Sequence, residues 1–316
     1  MRGKPTHRQD GVALLLIVLV LFTSSAAVFL SAVNNTNVDL TVANNAQREM
    51  VEAKQTLLAF AMAYPELFPD NPPGRFPCPD TNNDAQGLPD FPCYNSNVPG
   101  RLPRRINTES GTSFMFSDHG MANDQRFWFA VSPDYVQGSS AVLNSSTPGM
   151  LRLDRQADIV AVLIAPGNLL NGKSGGDSSP ANYLENANVR GTNFVSNRAA
   201  NPSTFNDRVL PIYRHEVMTL VTAQVVELVR GVLTTYYIKH GNTLPEDQDF
   251  FREALAAAAL PAWFAGNQWD TVINYELPEE NKNRADISFT GCAITYTVSF
   301  ERPDIERDKA SCEGHP

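Results

Sequence analysis

The sequence predicts an α+β protein. A long N-terminal transmembrane and amphipathic helix leads into a globular head, whose mainly antiparallel sheet packs on helices. Three observations predict this. Residues 12–33 are an apolar run without a charge. Residues 34–64 and 211–240 repeat apolar side chains at three- and four-residue steps, the period of one helix face. Residues 158–165 and 286–300 are β-branched or alternate apolar with polar, as strands do.

The apolar run begins Val12-Ala13-Leu14-Leu15-Leu16, and only Thr23, Ser24, Ser25 and Ser31 interrupt it before Asn34. A helix of roughly 20 apolar residues crosses ~30 Å of hydrocarbon, so this one is long enough. Arg2, Lys4 and Arg8 precede it against a single Asp10, which holds that flank on the cytoplasmic side. Everything after Asn34 is then extracytoplasmic. A plain signal anchor shows the same pattern, and Ser24-Ser25-Ala26 would also serve as a site for a cleaved secretory signal.

From 34 to 64 the helix continues as an amphipathic extension. Val38, Val42, Ala46, Met50, Ala53, Leu57 and Phe60 share one face. Asn34, Asn35, Asn37, Asn44 and Asn45 are poor helix formers, so a kink is expected near 34–36. Pro65 is expected to end the helix, because proline lacks a backbone donor and clashes with the preceding turn.

Residues 65–316 form the head. It opens with a proline-rich loop over 65–105, and loops of that length are uncommon and often functional. Asp80, Asn82 and Asp84 stand at positions one, three and five of a calcium-loop pattern, which makes Ca2+ a possible ligand. Ala85 replaces the glycine of position six, and Phe91 the glutamate of position twelve. An Asx-rich turn without metal accounts for the same residues. Arg101, Arg104 and Arg105 read as a solvated loop.

Residues 127–131 read as a strand stopped by Ser132-Pro133, and 158–165 as a strand buried on both faces, closed by Pro166-Gly167. The Gly-, Ser- and Asn-rich stretch 172–206 reads as a long surface excursion. Lys173-Ser174-Gly175-Gly176 within it lacks the order and spacing of a phosphate loop. In the helix over 211–240, Pro211 suits the first turn and Gly241 the stop. A short Ala-rich helix over 250–259 ends at Pro261. Strands follow at 271–277 and 286–300, the latter turning at Thr290-Gly291.

The net charge of -9 argues against a nucleic-acid partner, which needs a basic face. Cys78, Cys93, Cys292 and Cys312 in an exported chain read as disulfides. Sequence neighbours close the cheaper loops, giving Cys78–Cys93 and Cys292–Cys312. Zinc would need a closer spacing or a histidine pair. Serines lack a nucleophile elbow. The histidines are scattered, and neither Arg214-His215-Glu216 nor Ser117-Asp118-His119-Gly120 completes a catalytic set. No catalytic residue is assigned, and the chain is expected not to be an enzyme.

Arg8-Gln9-Asp10-Gly11 followed at once by the apolar run resembles the processing site of type IV prepilins and type II secretion pseudopilins. The resemblance covers about the first fifty residues. It implies a leader over residues 1–11, cleavage by a prepilin peptidase between Gly11 and Val12, and methylation of Val12. It also implies other pilins or pseudopilins as partners, an inner-membrane location with the head in the periplasm, and an extracellular place in an assembled filament. Leu16 stands at the fifth mature position, where these families carry an acid, and in this it resembles tip-like minor subunits. The expected function is therefore a minor structural subunit of a type IV pilus or type II secretion filament. The alternatives are a signal-anchored periplasmic binding protein or enzyme, and a calcium-dependent surface adhesin.

Overall fold

The computed structural model describes residues 45–85, 93, 98–108, 111, 113–116, 126–170, 172–176, 179–196, 204–300, 304–308 and 312. The leader, the Gly11–Val12 junction, the membrane segment and the kink near 34–36 lie outside them. The chain divides into two compact units, residues 1–49 and 50–316. Of the first, only residues 45–49 are described, as the opening of helix α1 (residues 45–67).

The face of α1 that the period predicts is the buried one: Met50, Ala53, Leu57 and Phe60 are fully enclosed. Phe60 meets Phe114 and Phe116 with ring centres 5.1 and 5.5 Å apart. Pro65 does not end the helix, contrary to expectation; α1 runs two residues further, to residue 67. Proline leaves the carbonyl four residues back without its helical donor. That carbonyl is Ala61's, and it accepts instead from the Gly74 N–H at 2.8 Å. Gly74 turns there with φ +98°, close against Val221 and Leu143, a conformation that suits glycine.

The first sheet contains β1 (Gly100–Arg101), β4 (Trp128–Val131), β5 (Leu151–Leu153), β6 (Gln156–Ala165), β7 (Asn193–Phe194) and β8 (Arg208–Tyr213). A separate hairpin joins β2 (Arg105–Asn107) to β3 (Ser113–Met115). Strand β6 is the axis of the first sheet. It pairs antiparallel with β4 and β5 in tandem along one edge and with β8 along the other, as Ile159 facing both Leu151 and Tyr213 requires. Only β5 and β7 run parallel. Phe129, Val131, Leu163 and Ala165 face the main core, while Trp128, Ala130, Ile159, Val162 and Ile164 face the opposite side. A register shift between Ile159 and Ala161 puts both Val160 and Ala161 on the core side.

The opposite face is not open. Tyr183, Leu184 and Phe194 cover it as a second, smaller core. They belong to the stretch 172–206, whose 3-10 turns at Pro180–Asn182 and Asn186–Val189 and strand β7 give it definite structure. The expected surface excursion is thus a cover. Among its described residues Tyr183, Leu184 and Phe194 point inward, and the Asn188 amide bonds both backbone groups of Val195 at 2.9 and 3.1 Å.

Helix α2 (Arg214–Lys239) begins later than expected, because Pro211 lies in β8. β8 pairs only with β6, so the missing proline N–H disturbs no central ladder. Glu216 caps α2 by accepting from the Tyr213 N–H at 2.8 Å and meets Lys54 of α1, whose ammonium also donates to the Pro211 carbonyl at 2.9 Å. Gly241 follows the helix at φ +69°. Among the described residues α2 alone is long and apolar enough to cross a membrane. Here it is the core helix, with Val217, Val221, Val225, Val226, Val229 and Leu233 buried.

Three short helices follow: α3 (Gln248–Ala256), capped by Asp247, α4 (Ala262–Gly266) and α5 (Trp269–Val272). The second sheet is antiparallel, ordered β12 (Asp304–Arg307), β11 (Cys292–Ser299), β10 (Arg284–Phe289), β9 (Ile273–Glu276). Ile294, Tyr296 and Val298 of β11 face the common core, and the Tyr296 hydroxyl lies 2.9 Å from that of Thr222 on α2.

Arg214 binds the two sheets at the head of α2. It is 6% exposed. Its Nε donates to Asp158 of β6 at 2.7 Å, and Nη1 donates to the carbonyls of Ser145 and Gly291 at 2.8 and 3.1 Å. Gly291 turns the β10–β11 hairpin at φ +82°, and a Cβ there would stand 2.7 Å from the Ser145 oxygen. Arg214→Met keeps the apolar stem and strands these acceptors; it is expected to lower the unfolding free energy in urea by about 3 kcal/mol. Phe60→Ala, which empties the aromatic cluster under α1, is expected to cost about 3–5 kcal/mol by the same measurement.

Candidate functional site

Both disulfides form with the expected pairing. Cys78 is joined to Cys93, and Cys292 at the start of β11 to Cys312. The second bridge brings the Cys312 carbonyl to 3.5 Å from Arg214 Nη2.

The loop singled out for calcium closes around a side chain. Asp80 is 1% exposed. Its Oδ1 accepts from the Asn83 N–H at 2.6 Å; its Oδ2 accepts from the Ala85 N–H at 2.9 Å and from Arg126 Nη1 and Nη2 at 3.0 Å each. Arg126 also donates to the side-chain oxygen of Asn83. Asn82 and Asp84 are exposed, and the Asn82 side-chain oxygen accepts from the Asp84 N–H at 2.9 Å, an Asx turn. Ala85 takes the left-handed conformation, φ +68°, that a glycine would take in the pattern. Arg126 thus stands beside Asp80 in the positive role expected of calcium, while the side chains of Asn82 and Asp84 turn to each other, with Asn82 Nδ2 3.4 Å from Asp84 Oδ2. Burial pushes the Asp80 carboxyl above its ordinary value, against the pull of Arg126.

Arg101 stands behind this knot and is not the solvated side chain expected. It is 1% exposed, lies over the mutually tilted rings of Trp128 and Tyr183 at 4.0 and 4.2 Å, and donates to the Arg126 carbonyl at 2.7 Å. This contact ties the 65–105 loop to the cover.

A second group of carboxyls was not anticipated from the sequence. Glu185, after the first 3-10 turn of the cover, meets Asp207, just before β8. They are 4% and 0% exposed. Asp207 Oδ2 accepts from the Glu185 N–H at 2.9 Å and from the Asn188 amide at 3.1 Å; Glu185 Oε2 accepts from the Asn206 N–H at 3.3 Å. Glu185 Oε1, Asp207 Oδ1 and the Asn206 side-chain oxygen are buried and accept from no other residue's N–H, and the two carboxyls share a side-chain hydrogen bond when one holds a proton. Burial, chiefly, and then the charge of Glu185 push the Asp207 carboxyl up to about 7. The signal for this pair is weak in sequence: a large apolar residue stands one or two places before each acid within a polar stretch, as in Tyr183-Leu184-Glu185 and Phe205-Asn206-Asp207.

A groove of ≈ 600 Å³ lies along α2 against the segment joining α3 to α4, with Leu228, Val232, Ala257, Ala258 and Pro261 in its walls. Tyr236 and His240 border it, their rings stacked 3.9 Å apart. His215 stacks on Tyr213 instead, with ring centres 5.3 Å apart. Ser117, Asp118, His119 and Gly120 lie outside the described residues.

Comparison with protein-family models, with characterised proteins and with solved structures finds no match for the chain.

Arg126→Ala leaves the Asp80 carboxyl buried without its counter-charge and is expected to cost about 3–5 kcal/mol in urea unfolding. The Asp207 proton has a pH signature. The folded value lies above that of an unfolded carboxyl, near ~4, so the folded chain holds the proton more tightly. That contribution is complete below the unfolded value and is lost as the pH rises through about 7. With chelator present, the melting temperature is expected to fall by about 5 °C or more between pH 5 and 8, and Asp207→Asn to remove most of the fall.

Proposed function

We propose that the chain is a minor, membrane-anchored structural subunit of a type IV pilus or type II secretion filament, with its head outside the cytoplasm. The observation that carries this reading is the sequence at the junction: Arg8-Gln9-Asp10-Gly11 running directly into Val12 and an apolar segment long enough to span a bilayer. The segment serves twice. It anchors the subunit in the bilayer, and it packs in the dry core of a filament, where the same apolar surface is satisfied. Leu16, in place of an acid, spares an unpaired carboxylate the cost of lipid and suits a subunit at a tip.

Two features of the head support the reading. Two disulfides suit an oxidising compartment. Helix α1 gives its buried face to the core of the head, the arrangement expected of a helix that continues from an anchor. The partners of this function are a prepilin peptidase and other pilins or pseudopilins. A second reading, a signal-anchored periplasmic binding protein, draws support from the groove beside Tyr236 and His240.

The mature N-terminus separates the two. Co-expressed with a prepilin peptidase, the chain is expected to begin at a methylated Val12, and without the peptidase at Met1. A start at Ala27, or at Met1 in both cases, would sink the filament reading.

A further inference from the structure

We propose that Gln248 is an edge guard. Its amide stands in for the peptide group of a neighbouring strand on β9, and it keeps the second sheet from adding a strand of a second copy of the chain. This stands independently of the filament reading.

β9 ends its sheet, paired with β10. On such a strand the backbone groups of alternate residues face outward, and an edge of that kind is a template for another chain. On β9 the outward groups of Ile273 and Tyr275 meet a side chain instead. The Tyr275 N–H donates to Gln248 Oε1 at 2.6 Å, and Gln248 Nε2 donates to the Ile273 carbonyl at 3.0 Å. One acceptor and one donor facing residues two apart are what an antiparallel strand would offer. The Ile273 N–H turns back to the Trp269 carbonyl.

The start of α3 holds the amide in place. Asp247 caps the helix by accepting from the Asp249 and Phe250 N–H groups at 2.9 and 3.0 Å, so the Gln248 side chain is not needed for the cap. The same segment grips Tyr275 twice more. Its ring stacks on Phe251 with centres 4.7 Å apart, and its hydroxyl donates to the Pro245 carbonyl at 2.7 Å. Two other edges are blunted by other means. β12 is four residues long, three of them charged: Asp304, Glu306 and Arg307. On β8, Pro211 brings no N–H and its carbonyl accepts from Lys54 at 2.9 Å, while the Tyr213 N–H donates to Glu216 at 2.8 Å. Short length, charge, proline and a covering element are the ways native sheets refuse strand addition. Gln248 does so by imitating the strand it excludes.

The test compares the full chain in detergent with Gln248→Ala, with Gln248→Glu and, as a control at an exposed position of α3, with Glu253→Gln. Hydrogen exchange at the Tyr275 amide is expected to run at least about tenfold faster in dilute Gln248→Ala, and to quicken less in Gln248→Glu, which keeps the acceptor. At about 100 µM, Gln248→Ala is expected to sediment at twice the wild-type mass or more, with Tyr275 protected again as new strand pairs form, while Glu253→Gln matches wild type. If Gln248→Ala does not fold, Gln248→Glu decides by the same two readouts. Unchanged exchange at Tyr275 would overturn the proposal, and so would faster exchange at the wild-type mass. Association that leaves Tyr275 unprotected would place the new contact elsewhere and overturn it too.

Discussion

One buried guanidinium carries the architecture. Arg214 touches the start of β6, the Ser145 loop, the β10–β11 turn and the carbonyl of Cys312. Arginine alone among side chains offers five donors in a fixed planar fork, so a single residue can satisfy acceptors from four segments. Apolar burial is non-directional, whereas the planar fork accepts one arrangement of its partners. At the head of α2 polar geometry therefore adds direction to the packing of the two sheets, while the free energy comes from the apolar stripe behind it. Gly291 is the matching concession, since any Cβ there would collide with the Ser145 oxygen that Arg214 needs.

The strength of a signal in the sequence followed how local its cause was. The buried face of α1 and the body of α2 were legible because helical period and burial are the same fact. The uninterrupted run 158–165 announced a strand enclosed on both sides, and residues 159–165 are all buried. What encloses the second side was not legible. Tyr183-Leu184 and Phe194 are a lone pair and a single large residue within a polar stretch, too few to show a period. Pro65 and Pro211 misled for a related reason. A proline forbids one hydrogen bond of its own, and whether that matters depends on a partner far along the chain or on an edge of the sheet.

The site was legible in kind but not in place. Alternating Asx residues at 80, 82 and 84 correctly mark a tight turn, yet oxygens in a turn do not say whether they face an ion, an arginine or each other. Arg126, 46 residues from Asp80, decides it. Glu185 and Asp207 are 22 residues apart and share no motif. Their meeting is a product of the β6–β8 pairing and of the cover folding back over it, which no local pattern encodes.

The bond from Gly74 to Ala61 closes the one gap that Pro65 opens in the ladder of α1. Past the proline the helix keeps its own bonding, with the Phe68 N–H donating to the Tyr64 carbonyl at 2.8 Å; what the later loop supplies is a donor for the orphaned carbonyl. The 68–74 loop is thereby stapled to the last turn through the very acceptor the proline sets free, so a residue that reads as a stop signal serves as a docking point for the chain that follows it.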